Sequence, residues 1–156
     1  MPGPISRTIV AQHPELGERW LYCASAFTRP ALLFTENDSN KERLWSVTND
    51  SPFVKDAFHE YVVNQKPRKV NPARVGTKAA AHYQLTINAG ETITLALRLS
   101  DRFFTHPFDD FAAIFAARRQ EADEFYAALQ PAAVSEDERR VQRQALHCTS
   151  IIRLSV

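Results

Sequence analysis

Glycine is scarce in this chain, four residues in 156, and cysteine is scarcer, with only Cys23 and Cys148. So few glycines leave no glycine-rich loop to cradle a phosphate. Two isolated cysteines provide neither a disulfide framework nor a paired CxxC motif, and both are expected to be reduced thiols. The histidines, at 13, 59, 82, 106 and 147, form no HxH or HExxH pair. A metal site needs three or four converging ligands, so no metal and no cofactor are expected. No Ser/His/Asp nucleophile elbow is present. Charge of one sign is missing too: 19 basic residues face 18 acidic ones, for a net +1. That balance removes the electrostatic ground for a nucleic acid or an anionic membrane as partner. No apolar run approaches the roughly 20 residues that a bilayer requires. The opening MPGPISRTIV lacks the basic region and apolar core of a secretory signal, so a cytoplasmic protein is expected.

What the chain has is ordinary globular chemistry, 44% hydrophobic and 24% charged, in a length that suits one domain or one domain with an extension. Its centre is residues 76–99, GTKAAAHYQLTINAGETITLALRL. Ala79, Ala81, Tyr83, Leu85 and Ile87 alternate with Lys78, His82, Gln84 and Thr86; further on, Ile93, Leu95, Leu97 and Leu99 alternate with Thr92, Thr94, Ala96 and Arg98. Period-two patterning lets a strand bury one face and wet the other. The Asn88-Ala89-Gly90 break between the two runs predicts a hairpin. A lone hairpin is marginal, and upstream segments offer it partners. Strands are expected at 5–12 and 19–23, joined by the turn HPELG, and at 31–35. Residues 44–47 suggest a brief return to the sheet. In 53–63 a short turn or helix over 54–58 is expected, followed by a strand over 60–63. The loop 64–76, with two prolines and four basic residues, is a solvated connection or a patch for phosphate or an acidic partner.

After residue 109 the period changes. Phe111, Ile114, Phe115, Ala122, Phe125, Tyr126 and Leu129 make a helical stripe, which Gln130-Pro131 should stop. Asp109 or Asp110 can cap its first amides. A second helix is announced by the capping box Ser135-Glu136-Asp137-Glu138. The tail HCTSIIRLSV is rich in β-branched residues and Ser/Thr and is not expected to continue it.

Residues 13–23 (HPELGERWLYC), 32–63 (LLFTENDSNKERLWSVTNDSPFVKDAFHEYVV), 70–85 (VNPARVGTKAAAHYQL) and 108–129 (FDDFAAIFAARRQEADEFYAAL) carry a family resemblance. Together they resemble the N-terminal region of bacterial glycoside hydrolase family 63 proteins, relatives of mannosyl-oligosaccharide glucosidase and mannosylglycerate-hydrolase-like enzymes. The resemblance implies a mainly β fold: an antiparallel β-sandwich over 1–105, then a helical linker and a divergent tail over 106–156. It also implies a catalytic (α/α)6 barrel, absent from this chain, that carries the two carboxyl groups inverting the glycosidic bond. The expected role is therefore that of a non-catalytic fragment, from a truncated or frame-shifted frame, scaffolding an enzyme of glucosyl or mannosyl oligosaccharides. A stand-alone carbohydrate-binding or protein-interaction sandwich is the alternative.

Candidate sites follow from composition and from that resemblance. Glu36, Asp38, Glu42, Asp56 and Glu60 supply carboxylates, but a general acid needs a partly buried site that raises its pKa. Loop acids are more commonly solvated or capping, so no catalytic residue is assigned. The resemblance implies that sandwich loops approach the catalytic face of the intact enzyme, making Glu36, Asn37 and Asn40 the carbohydrate-contact candidates. Trp20, Tyr22, Trp45 and Tyr83 are either a sugar-stacking platform or core, with core favoured by the apolar area they bury. Without its barrel, the chain is expected to self-associate through Phe111, Phe115, Phe125 and Tyr126.

Overall fold

A computed structural model describes residues 6–25, 28–130 and 133–153, with side chains described as far as 146. The chain divides into two compact units, one up to Asp109 and one from Asp110 onward. The first holds antiparallel sheets with short helices, the second two helices. No helix among the described residues is long and apolar enough to cross a membrane.

Three antiparallel strands make the larger sheet: β1 (Ser6–His13), β2 (Gly17–Ala24) and β5 (Leu97–Ser100), in the order β1-β2-β5. β1 and β2 pair over their full length, from Ser6↔Ala24 to His13↔Gly17. The reversal is fixed locally. His13 Nδ1 accepts from the Glu15 and Leu16 amides, each at 3.2 Å, and Gly17 takes the positive φ (69°) that a side chain would oppose. β5 adds to the other edge of β2, from Trp20↔Ser100 to Cys23↔Leu97. Being central, β2 supplies the core residues Tyr22, Cys23 and Ala24. The Tyr22 hydroxyl accepts from the Phe104 amide at 2.7 Å, and the two rings meet edge to face, 6.4 Å apart. Arg98 lays its guanidinium over Phe104 at 4.1 Å.

The smaller sheet pairs β3 (Ala31–Thr35) with β4 (Lys78–His82), from Ala31↔His82 to Thr35↔Lys78. The hairpin expected over residues 76–99 is therefore not formed. Each run holds only a short strand, Lys78–His82 and Leu97–Ser100, and residues 83–87 and 92–96 are not strand; β4 pairs with β3 and β5 with β2, in separate sheets. The turn between them survives, with Glu91 donating to the Asn88 carbonyl (3.1 Å) and Gly90 at φ 78°. Alternation identifies a strand, not its partner. No residue of β4 is fully buried, and both faces make contacts: Lys78 Nζ lies over the Phe58 ring (5.0 Å) and His82 meets Tyr61 edge on, while Ala81 is half-buried and Ala79 exposed.

Between β3 and β4 lie α1 (Lys41–Trp45), α2 (Ala57–Val62) and a 3-10 turn at Pro67–Lys69. Both expected strand returns, at 44–47 and 60–63, are corrected here. Asn40 caps α1 through its side chain, and α2 continues helically through Tyr61 and Val62 because Phe58 and Tyr61 then reach β4. Packing outweighs the β-propensity of Tyr-Val-Val. The two sheets do not close into a sandwich among the described residues.

The second unit has α3 (Phe111–Leu129) and α4 (Glu136–Arg153). The α3 boundaries match the pattern, although Asp110, at the N-cap position, makes no side-chain capping bond. At the start of α4 the capping box closes in both directions. Glu138 accepts from the Ser135 amide (2.7 Å), and Ser135 Oγ accepts from the Glu138 amide (3.3 Å). α4 then runs to Arg153, so residues 147–153 of the tail, which was expected to leave the helix, continue it, and the tail's last three residues lie outside the described ones. Propensity differences of a few tenths of a kcal/mol per residue do not stop a helix that is already propagating. The helices are tied by Arg143, which pairs with Asp123 (2.6 Å) and covers Tyr126 (4.8 Å), and by Gln130 donating to the Arg139 carbonyl (2.9 Å).

Candidate functional site

The polar loop over residues 36–40 leaves β3 from its buried end, and its backbone is pinned from three directions. The Glu36 amide donates to the Phe53 carbonyl (2.7 Å), the Asn37 amide to Thr77 Oγ1 (2.8 Å), and the Lys55 amide to the Asp38 carbonyl (3.0 Å). Thr77 in turn donates its hydroxyl (2.8 Å) and its amide (3.2 Å) to the Glu36 carboxylate. That reciprocal clasp depends on Gly76. A Cβ there would lie 2.4 Å from the Thr35 carbonyl oxygen, so only glycine lets the two backbones come this close.

The loop ends on Asn40, the hub of a second network. Its Oδ1 accepts from the Arg43 amide and from Asn49 Nδ2, both at 3.1 Å. Its Nδ2 donates to both Asp56 oxygens, at 3.1 and 3.3 Å. Asn49 Oδ1 accepts from the Lys41 (2.7 Å) and Glu42 (3.3 Å) amides, and Arg43 reaches Asp56 at 3.3 Å. Lys41 pairs with Asp50, which raises the lysine pKa through that hydrogen bond. A cavity of about 540 Å³ opens beside this network, with Asn40, Asn49, Asp56, Glu60, Lys66 and Lys69 among its walls.

The three contact candidates thus have different circumstances. Glu36 spends its carboxylate on Thr77, and Asn40 spends its amide on Arg43, Asn49 and Asp56. Asn37 is exposed, and its side-chain amide makes no hydrogen bond among the described residues. The loop therefore presents one rigidly mounted amide to whatever lies in front of it. Glu60 is held below the ordinary carboxylate range, chiefly by the Lys66 ammonium (2.7 Å) and further by Asn64. A general acid requires the opposite displacement. No group of three or more His, Cys, Asp or Glu among the described residues is placed to hold a metal.

The four aromatic candidates do not form one platform. Tyr22 is core, 1% exposed, whereas Trp45 on α1 is 62% exposed. Tyr83 donates its hydroxyl to the Ala24 carbonyl (2.8 Å), and burial raises its pKa, as it does that of the nearby Cys23 thiol. The organisers that pattern alone did not single out are Gly76, Thr77 and Asn49; Asp56 counted only among the loop carboxylates, not as the acceptor for Asn40. Gly76 and Thr77 are remote in sequence from the loop they clasp, Thr77 standing 41 residues beyond Glu36. Only the scarcity of glycine marked that position in the sequence.

These features define a mixed α/β protein with antiparallel sheets, C-terminal helices and a backbone-pinned polar loop. No family model matches the chain, and no solved structure matches it. It is similar to the uncharacterized protein YMR196W of Saccharomyces cerevisiae, with 39% identity over 128 residues. The match takes in 74% of this chain and 12% of the yeast protein, so the chain spans about an eighth of that relative's length.

Proposed function

We propose that this chain is a non-catalytic N-terminal portion of a family-63-like glycoside hydrolase. In the intact protein it scaffolds a barrel that acts on glucosyl or mannosyl oligosaccharides, and its strands form part of a larger sandwich. The observation that carries this reading is the mismatch between a small core and large uncovered apolar surfaces. The buried apolar residues of the described chain are Ile9, Tyr22, Cys23, Ala24, Leu33, Val54 and Ala57, with Pro30 beside them. Against these, Leu99 is 68% exposed and Phe103 66%, with Leu97, Leu95 and Ile87 also exposed. On the second unit Phe115 and Phe125 are exposed, and Phe111 stacks on Phe115. Surfaces of this kind await a partner body. Asn37 is then the residue that meets a sugar hydroxyl, while Glu36 and Asn40 hold its loop in place.

The test uses the chain as it stands and the complete protein. The isolated chain should release no glucose or mannose from any glycoside and should self-associate as its concentration rises. In the complete protein, Asn37→Ala should raise KM or lower kcat without lowering Tm. Hydrolysis by the chain alone, or a clean monomer by light scattering at high concentration, overturns the fragment reading. Saturable binding of neutral oligosaccharides by that monomer would favour a stand-alone module instead.

A further inference from the structure

A second cleft, of about 760 Å³, lies in the first unit between the C-terminal end of α2, the approach to β3 and the chain leaving β4. Arg29, Tyr61, Gln65, His82, Tyr83 and Gln84 contribute to its walls. Its composition differs in kind from that of the cavity beside Asn40. That cavity includes Glu42, Asp56 and Glu60, whereas among the described residues no Asp or Glu lines this one. Arg29 is exposed and has no carboxylate partner among the described residues. A guanidinium at the mouth of a cleft without acids favours an anion, best a carboxylate that can meet its fork with two parallel bonds.

Two further features specify what carries that carboxylate. The rings are fixed: Tyr61 and His82 stand edge to face at 5.9 Å, and Tyr83 is anchored through its hydroxyl to the Ala24 carbonyl. Fixed rings supply the apolar part of a small-ligand site with little ordering cost. Gln65, in addition, holds a left-handed backbone, φ 52°, where the chain turns off α2 and Lys66 donates to the Glu60 carbonyl at 3.0 Å. Glycine would take that conformation at no steric cost, while a side-chain-bearing residue holds it under strain. The strain falls on a residue that lines the cleft. With Gln84 it provides donors and acceptors for hydroxyl groups.

We propose that this cleft binds a sugar acid, a hydroxylated ring bearing one carboxylate. Arg29 takes the carboxylate, Gln65 and Gln84 take the hydroxyls, and Tyr61, His82 and Tyr83 receive the apolar face of the ring. The site shares no residue with the loop 36–40 and involves no bond cleavage, so it does not rest on the glycosidase reading.

The test is a titration of the full isotope-labelled chain with D-glucuronate, D-glucose and acetate, followed through its amide resonances. Glucuronate should saturate a site whose shifts centre on Arg29, Gln65 and Gln84. Glucose and acetate should each bind at least roughly tenfold more weakly, since each lacks one half of the recognition. Arg29→Gln should weaken glucuronate to the level of glucose. Gln65→Gly relieves backbone strain, so it should keep or raise Tm while weakening glucuronate several-fold. The proposal is overturned if glucuronate fails to bind, if acetate or glucose binds as well, or if neither substitution changes its affinity.

Discussion

Replacing Gly76 by alanine is the sharpest perturbation the fold offers. The added Cβ would sit 2.4 Å from the Thr35 carbonyl oxygen, 2.8 Å from its carbon and 3.2 Å from its nitrogen. All three are backbone atoms of a residue with 0% exposure at the end of β3, so no side chain can swing aside. The 76–78 segment must back away, and with it Thr77, which clasps Glu36 and Asn37. Overpacking of this kind costs about 1–3 kcal/mol. In a unit near 100 residues that lowers Tm by roughly 5–15 °C. Differential scanning calorimetry measures the total, and amide exchange localises it, because Asn37 should lose protection while Tyr22 and Cys23 keep theirs. Gly90→Ala is the control. Nothing lies within 4 Å of the Cβ it would gain, so its cost comes from the positive φ of 78° alone, about 1 kcal/mol. An unchanged Tm together with unchanged Asn37 exchange in Gly76→Ala would refute the clasp and the rigid loop with it.

Three other outcomes follow from named contacts. Asp56→Ala removes the acceptor shared by Asn40 and Arg43 and should cost about 1–3 kcal/mol in denaturant unfolding, whereas Asp56→Asn keeps an acceptor for Asn40 and should cost less. Ser135→Ala opens the capping box of α4 and should cost about 1 kcal/mol, visible as lost helical circular dichroism. The same box gives a pH dependence: the Ser135 hydroxyl and amide hold Glu138 below its unfolded value. Its stabilisation is therefore complete above the unfolded pKa and drains away as pH falls through the folded one, a slope that Ser135→Ala should flatten. Phe115→Glu, on a side chain 66% exposed, should leave secondary structure intact and reduce self-association measured by light scattering.

Local pattern was enough to locate both strands of the first hairpin, the β3 segment, the α3 boundaries and the α4 start. In each of these a local signal suffices: a β-branched run, a Pro-Gly turn, a stripe of period near 3.6, a Ser-x-x-Glu box. Tertiary structure alone decided partners and faces. β4 and β5 carry the right alternation but choose β3 and β2, because register and neighbour are set by which faces can be buried together. Residues 60–63 favour a strand by composition, yet 60–62 are helix because Phe58 and Tyr61 then dock on Lys78 and His82. The polar stretch 36–40 announces a loop, but not which of its side chains is left over, nor that helix α1 starts at Lys41. Asn37 is singled out only because Thr77, about 40 residues on, consumes Glu36, and because Asp56 and Asn49 consume Asn40. Such pairings are long-range, and no window along the chain contains both halves of them.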